Sequence, residues 1–237
     1  LSEKIDNIFG SFSVGNIPKG SQDPYALRRQ ANAIVDIIIR NGLKFQLVDV
    51  LKAVSSNYRD GFSLIGKLID FVNGRARTIF TEAGFRYDEI DACMLEGNSD
   101  YLELYKRAES LNVYRKNEKF GQLLLGFKRM NNILSAFRKE NKDYKLSFSE
   151  SLLEEKEERD LYFFFAERRK QMEDFISHSK YIELFELMTE AKPLIDSFFD
   201  KVLVMDKRIE IRDNRLFILE SVLNIFNNLI DFSKISE

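Results

Sequence analysis

Leu123-Leu124-Leu125-Gly126-Phe127-Lys128-Arg129-Met130-Asn131-Asn132-Ile133-Leu134-Ser135-Ala136-Phe137-Arg138-Lys139 decides the fold class of this chain. Leu123, Phe127, Met130, Leu134 and Phe137 return at steps of three and four residues. That is the period of an α-helix with one apolar stripe, and a strand would alternate at every second residue instead. The stripe is expected to be buried. At about 100° per residue, Lys128, Asn131, Asn132, Ser135 and Lys139 fall on the opposite side, which is expected to face outward.

Working outward, the same period recurs. Leu102, Tyr105, Ala108 and Leu111 share a face upstream. Downstream, a long helix is expected over 151–177, with Ser151 and Glu154 as a capping box, acidic residues in its first turns and Arg168, Arg169 and Lys170 late, as the helix dipole favours. Helices over 181–189, 193–204 and 212–233 follow. In the first third the period predicts helices over 24–41, 43–55 and 63–80 and a short element over 87–95. Before the first of these, Gly15, Pro18 and Gly20 break the chain, Asp23 can accept from the first turn and Pro24 fits the first helical position. Eleven Gly and three Pro in 237 residues leave long stretches without either. The reading is all-α: a helical region over 1–97, a break at Gly97-Asn98-Ser99, and an antiparallel helical bundle over 98–237.

Hydrophobic residues make up 44% and include 21 Phe, enough for a packed core. No window of about 18 apolar residues is present, so no membrane span is expected. The first ten residues lack the charged-then-apolar layout of a secretion signal. Cys93 stands alone and cannot form an intrachain disulfide, which suits a reducing cytosol; a buried structural thiol is the expectation. His178 is the single histidine, so no His-pair metal site can form. There is no P-loop and no G-x-G-x-x-G run, hence no visible phosphate cradle. The carboxylates of 150–160 read as a solvated face. No catalytic and no metal-ligating residue is assigned.

The net charge of −2 means that any nucleic acid must be met by local patches. Two present themselves. The first is the Lys128, Arg129, Asn131 and Asn132 side of the central helix: cations neutralise phosphates, and Asn offers donor and acceptor to a base edge. The second is Lys201, Lys207, Arg208, Arg212, Asn214 and Arg215, with Arg208, Arg212 and Arg215 at i, i+4 and i+7. For both, an ordinary charged helix face, with Asp206, Glu210 and Asp213 as partners in the second case, is the competing reading. Arg75 with Arg77, and Arg28 with Arg29, are weaker groups. Tyr114, Tyr144 and Tyr162 are stacking candidates that serve equally as core, and Phe163, Phe164 and Phe165 read as packing residues.

Three runs carry a resemblance. Gly15 to Arg29 resembles the G-x-x-P-x-G-S-x-D-P-F/Y-A-L-R-R run of the β subunit of the bacterial two-subunit glycyl-tRNA synthetase. Gly126 to Leu134 is similar to that family's A-x-K-R-x-x-N-I-L segment. Phe198 to Met205, with Arg212 to Leu216 and Asp231-Phe232-Ser233, is similar to its closing F-F-D-K-V-x-V-M, R-x-N-R-L and D-F-S pattern. The order agrees along the chain, and Leu1 in place of Met fits the C-terminal part of that subunit. The resemblance implies a cytoplasmic α2β2 ligase that joins glycine to its tRNA, with ATP and magnesium used on the α subunit and no cofactor in this piece, which alone would not catalyse. It implies a helical segment over 1–97 continuing from an HD-type region, then a DALR-type bundle like the anticodon-binding domain of arginyl-tRNA synthetase. The partners implied are tRNA-Gly, the α subunit and the rest of the β subunit. The K-R-x-x-N motif falls on Lys128, Arg129 and Asn132, and R-x-N-R-L on Arg212, Asn214 and Arg215. Every glycine anticodon ends in two cytosines. Asn131, Asn132, Arg212, Asp213, Asn214 and Arg215 would read them, while Lys128, Arg129 and Lys201 would hold the adjacent phosphates; Arg208 is a further RNA-binding candidate. The alternative is a scaffold that docks the α subunit without reading RNA.

Overall fold

Periodic apolar faces set off by short polar breaks build a helical protein. The computed structural model describes residues 1–18 and 22–236 and, among these, contains helices and no strand. The α-helices are α1 Ser2–Ser13, α2 Leu27–Arg40, α3 Leu47–Ser55, α4 Gly61–Glu82, α5 Tyr87–Cys93, α6 Tyr101–Tyr114, α7 Glu118–Glu140, α8 Lys156–Ser177, α9 Tyr181–Lys201 and α10 Ile209–Asn224. Two compact units result, Leu1–Glu109 and Ser110–Glu237. Among the described residues no helix is long and apolar enough to cross a membrane.

In the first unit α1, α2 and α4 pack on one another, with α3 and α5 against α4. Phe9, Ala31, Val35, Ala76 and Phe80 are fully buried between them. Asp23 caps α2 as its sequence suggests, but from further upstream. Its carboxylate accepts from the Leu27 N–H at 2.7 Å and the Arg28 N–H at 3.1 Å. Pro24 therefore lies in a turn before the helix, and Ala26, at φ 55°, makes the left-handed step into it. Gly20, expected to break the chain here, lies outside the described residues.

The division between the units falls inside α6, twelve residues beyond the break expected after Gly97. Ser99 shows why. Its N–H donates to Gln46 Oε1 at 2.8 Å, its hydroxyl accepts from the Val48 N–H at 3.0 Å and its carbonyl from the Leu47 N–H at 3.1 Å. Tyr101 donates to Asn73 Oδ1 at 2.8 Å. The residues after Gly97 are thus tied to α3 and α4. Cys93 is buried as expected, and burial pushes its thiol up to about 12.

In the second unit α7 packs on α9 and α10, and α8 packs on the same two helices. Three expectations change here. The α9 helix runs unbroken through Pro193, because Leu184, Met188, Ala191, Ile195 and Phe198 stay in phase and buried across it. The α10 helix stops at Asn224, and Leu229, Ile230, Phe232 and Ile235 fold back as a buried tail. The α8 helix begins at Lys156 instead of Ser151, where the Glu155 and Glu158 side chains form its capping box.

Candidate nucleic-acid interface

The α7 stripe is where the sequence puts it: Leu123, Phe127, Met130, Leu134 and Phe137 are all buried. On the other side Arg129 and Asn132 are exposed, while Lys128 and Asn131 are half-buried. Among the described residues none of Lys128, Arg129, Asn131 and Asn132 has a carboxylate or hydrogen-bond partner for its side chain. Arg129 is held by other means: its guanidinium lies 4.2 Å above the Phe199 ring, a contact that orients a cation without neutralising it.

The second basic group divides. Lys201 and Arg208 are exposed but paired. Lys201 donates to Glu157 Oε1 at 2.6 Å. Arg208 grips Glu154 with two bonds of 2.7 and 2.8 Å and also donates to Asp206. These bonds hold the Glu154 and Glu157 carboxyls below the usual range and, with help from Arg215, hold Asp206 well below it. Arg212 is half-buried over Phe137 and Tyr144, and its head pairs with Asp213 at 2.9 Å. Lys207 is exposed and has no ion pair among the described residues.

Asn214 and Arg215 point inward. Arg215 is 4% exposed. Its Nε donates to the fully buried Glu158, and its Nη1 donates to the Leu203 carbonyl at 2.9 Å and to Asp206 at 3.1 Å. Asn214 is 1% exposed, and its Oδ1 accepts from the Ser149 N–H at 2.7 Å. These two side chains fasten the 149–158 and 203–206 segments to α10 and do not reach the surface. The competing reading, a charged face with acidic partners, therefore describes Arg208, Arg212 and Arg215, with Glu154 and Glu158 as partners that sequence proximity could not reveal. It also corrects the carboxylate run of 150–160: Glu158 is buried, and Glu154 and Glu157 are paired counter-charges.

The aromatic candidates are occupied. Tyr114 is buried and bonds Thr189. Tyr144 donates to Asp213 Oδ2 at 2.5 Å, which raises its phenol. Tyr162 lies on Phe148 with centroids 4.5 Å apart, and Phe148 in turn stacks on Phe217. His178 is an exposed C-cap whose Nδ1 lies 2.9 Å from the Asp174 carbonyl.

What brings α7 and the second group together is a groove. Arg129 and Ile133 form one wall, and Phe199 to Met205 the other, around a volume of about 400 Å³. Val202 and Val204 turn into the core while Leu203 and Met205, 69% and 50% exposed, turn out. Neither residue carries a charge that would single it out, and the signal the sequence holds is the strict alternation of the Val202-Leu203-Val204-Met205 run.

Comparison with known proteins adds identity. Residues 1–95 match the family model described as glycyl-tRNA synthetase beta subunit, and residues 123–236 match the DALR anticodon binding domain. The chain is 35% identical over 243 residues to a protein of Moorella thermoacetica named glycine–tRNA ligase beta subunit, covering 99% of this chain and 34% of that protein. It is 33% identical to the protein of that name in Syntrophomonas wolfei, with the same coverage of each chain. For the Halothermothrix orenii protein so named the identity is 32%, over 100% of this chain and 34% of the relative. The chain thus spans about a third of the length of the curated relatives it matches. Helical architecture, the two matched regions and the alignment of this whole chain with about a third of each relative agree, and the chain belongs to the glycyl-tRNA synthetase β-subunit family, of which it carries the DALR anticodon-binding bundle and the helical region before it.

Proposed function

We propose that this chain is the tRNA-reading part of a glycine–tRNA ligase β subunit. It binds tRNA-Gly on the anticodon side, and the α subunit joins glycine to that tRNA with ATP and magnesium, in a cytoplasmic α2β2 enzyme completed by the rest of the β subunit. The observation that carries this is the DALR match over 123–236 together with uncompensated cations on the same bundle: Lys128, Arg129 and Lys207 have no carboxylate partner among the described residues. On an acidic chain such cations are the phosphate contacts that need no rearrangement to engage. Asn131 and Asn132, one turn along α7, supply donors and acceptors for base edges. Asn214 and Arg215 act by positioning, through the segments they fasten.

Phosphate contacts release counterions, so affinity falls as salt rises. The chain should bind tRNA-Gly with a steep negative slope of log affinity against log salt. Arg129→Ala should reduce that slope by about one, as the loss of one phosphate contact does. Lys201→Ala should reduce it less, because Glu157 already neutralises that ammonium. A filter-binding titration at several salt concentrations measures both. Binding that is absent, or insensitive to salt and to Arg129→Ala, would overturn the proposal in favour of a scaffold that docks the α subunit.

A further inference from the structure

We propose that the groove between Arg129 and the 199–205 segment seats one unstacked nucleobase of the bound RNA. The inference rests on the tRNA-binding reading above and goes beyond it by naming a seat whose contact residues, Leu203 and Met205, are uncharged.

Three observations carry it. The first is shape. An open groove of about 400 Å³ is large enough to take the base of a single nucleotide. The second is the surface it offers. Leu203 and Met205 line the groove and are 69% and 50% exposed, in a chain with 31% charged residues. Large apolar side chains gathered in this way on an otherwise charged surface mark an interaction site. Apolar contacts suit the flat face that every base presents, and a Met thioether suits an aromatic ring in particular. Beside them the Arg129 guanidinium rests on Phe199 and has no carboxylate partner among the described residues; an arginine plane is itself a base-stacking surface, while its N–H edge stays free to meet a phosphate. Lys207, two residues beyond Met205 and without an ion pair among the described residues, supplies a cation for the adjoining phosphate.

The third observation is rigidity. Exposed apolar residues on a slack loop would collapse, but this loop is fixed. Val202 and Val204 are anchored in the core, the Leu203 carbonyl accepts from the buried Arg215, and Asp206 is held by both Arg215 and Arg208. The seat is therefore formed before RNA arrives, and binding orders little. In this arrangement Arg215 is a positioning residue. It keeps Leu203 and Met205 turned outward and touches no base.

The test is the double variant Leu203→Ala/Met205→Ala, titrated with tRNA-Gly beside the wild-type chain and Arg129→Ala. Both side chains are exposed, so the urea midpoint should stay where it is. Affinity for tRNA-Gly should fall roughly 5- to 150-fold, the range that loss of one stacked base carries. The salt slope should stay at the wild-type value, because no phosphate contact is removed; Arg129→Ala should flatten it. Wild-type affinity in the double variant, alongside weakened binding by Arg129→Ala, would overturn the base seat and leave the tRNA-binding reading intact. Failure of the wild-type chain to bind tRNA-Gly at all would overturn both. Unchanged RNA binding with lost binding of purified α subunit would identify the groove as a protein contact and refute the nucleobase.

Discussion

Arg215→Met is expected to destabilise the 110–237 unit by about 3–5 kcal/mol, the cost of leaving a buried charge without its partner. Glu158 is fully buried, and its carboxylate has two partners: the Glu155 N–H at 3.1 Å, through the capping box, and Arg215 Nε. Removing the guanidinium leaves one buried carboxylate oxygen unpaired and takes a donor from the Leu203 carbonyl and from Asp206. Urea denaturation of the two proteins measures the loss. Replacing both partners, Glu158→Leu with Arg215→Met, should cost less than Arg215→Met alone, because no charge is then stranded. A single-variant loss below about 1 kcal/mol would contradict the buried hub and return Arg215 to the surface role that its motif suggests.

Phe127→Ala should cost about 3–5 kcal/mol in the same assay. Its ring is fully buried, 5.5 Å from the Phe226 centroid and 4.8 Å from that of Phe232. It joins α7 both to the turn that follows α10 and to the folded-back tail, so the cavity left by truncation would have three walls that cannot all collapse. Leu125, two residues earlier and 52% exposed, is the control: Leu125→Ala should stay within about 0.5 kcal/mol. Equal effects at the two positions would place the stripe on the wrong side of α7.

These two residues show what the sequence can and cannot disclose. Phe127 was legible because α7 is a half-buried helix, and in such a helix the apolar period alone separates inside from outside. The α10 helix has no such guide. Ile211, Leu216, Ile218, Leu219, Val222 and Leu223 are buried around its circumference, with Asp213, Asn214 and Arg215 buried among them. The i, i+4, i+7 spacing of its arginines presupposes a wet face that the helix lacks. The acidic counterpart was hidden for a related reason. Glu154 and Glu158 lie more than fifty residues from Arg208 and Arg215 in the chain, so the run reads as solvated until the bundle closes. Pro193 misled through a local rule that in-phase packing overrides, while Asp23 did its expected job from a longer reach. The groove was half legible. Arg129 came from a motif, whereas Leu203 and Met205 gain their meaning from the anchors beside them.

Base discrimination is the direct measure of anticodon reading by the bundle. Both cytosines that end every glycine anticodon offer an N4 amino donor with O2 and N3 acceptors, edges that Asn131 and Asn132 can meet. The measurement is the affinity of the 237-residue chain for tRNA-Gly and for the same tRNA with both anticodon cytosines replaced, at one fixed salt concentration. A loss of roughly 1–3 kcal/mol per replaced base is expected, with the salt slope unchanged because the phosphates are the same. Equal affinity for the two RNAs would contradict it.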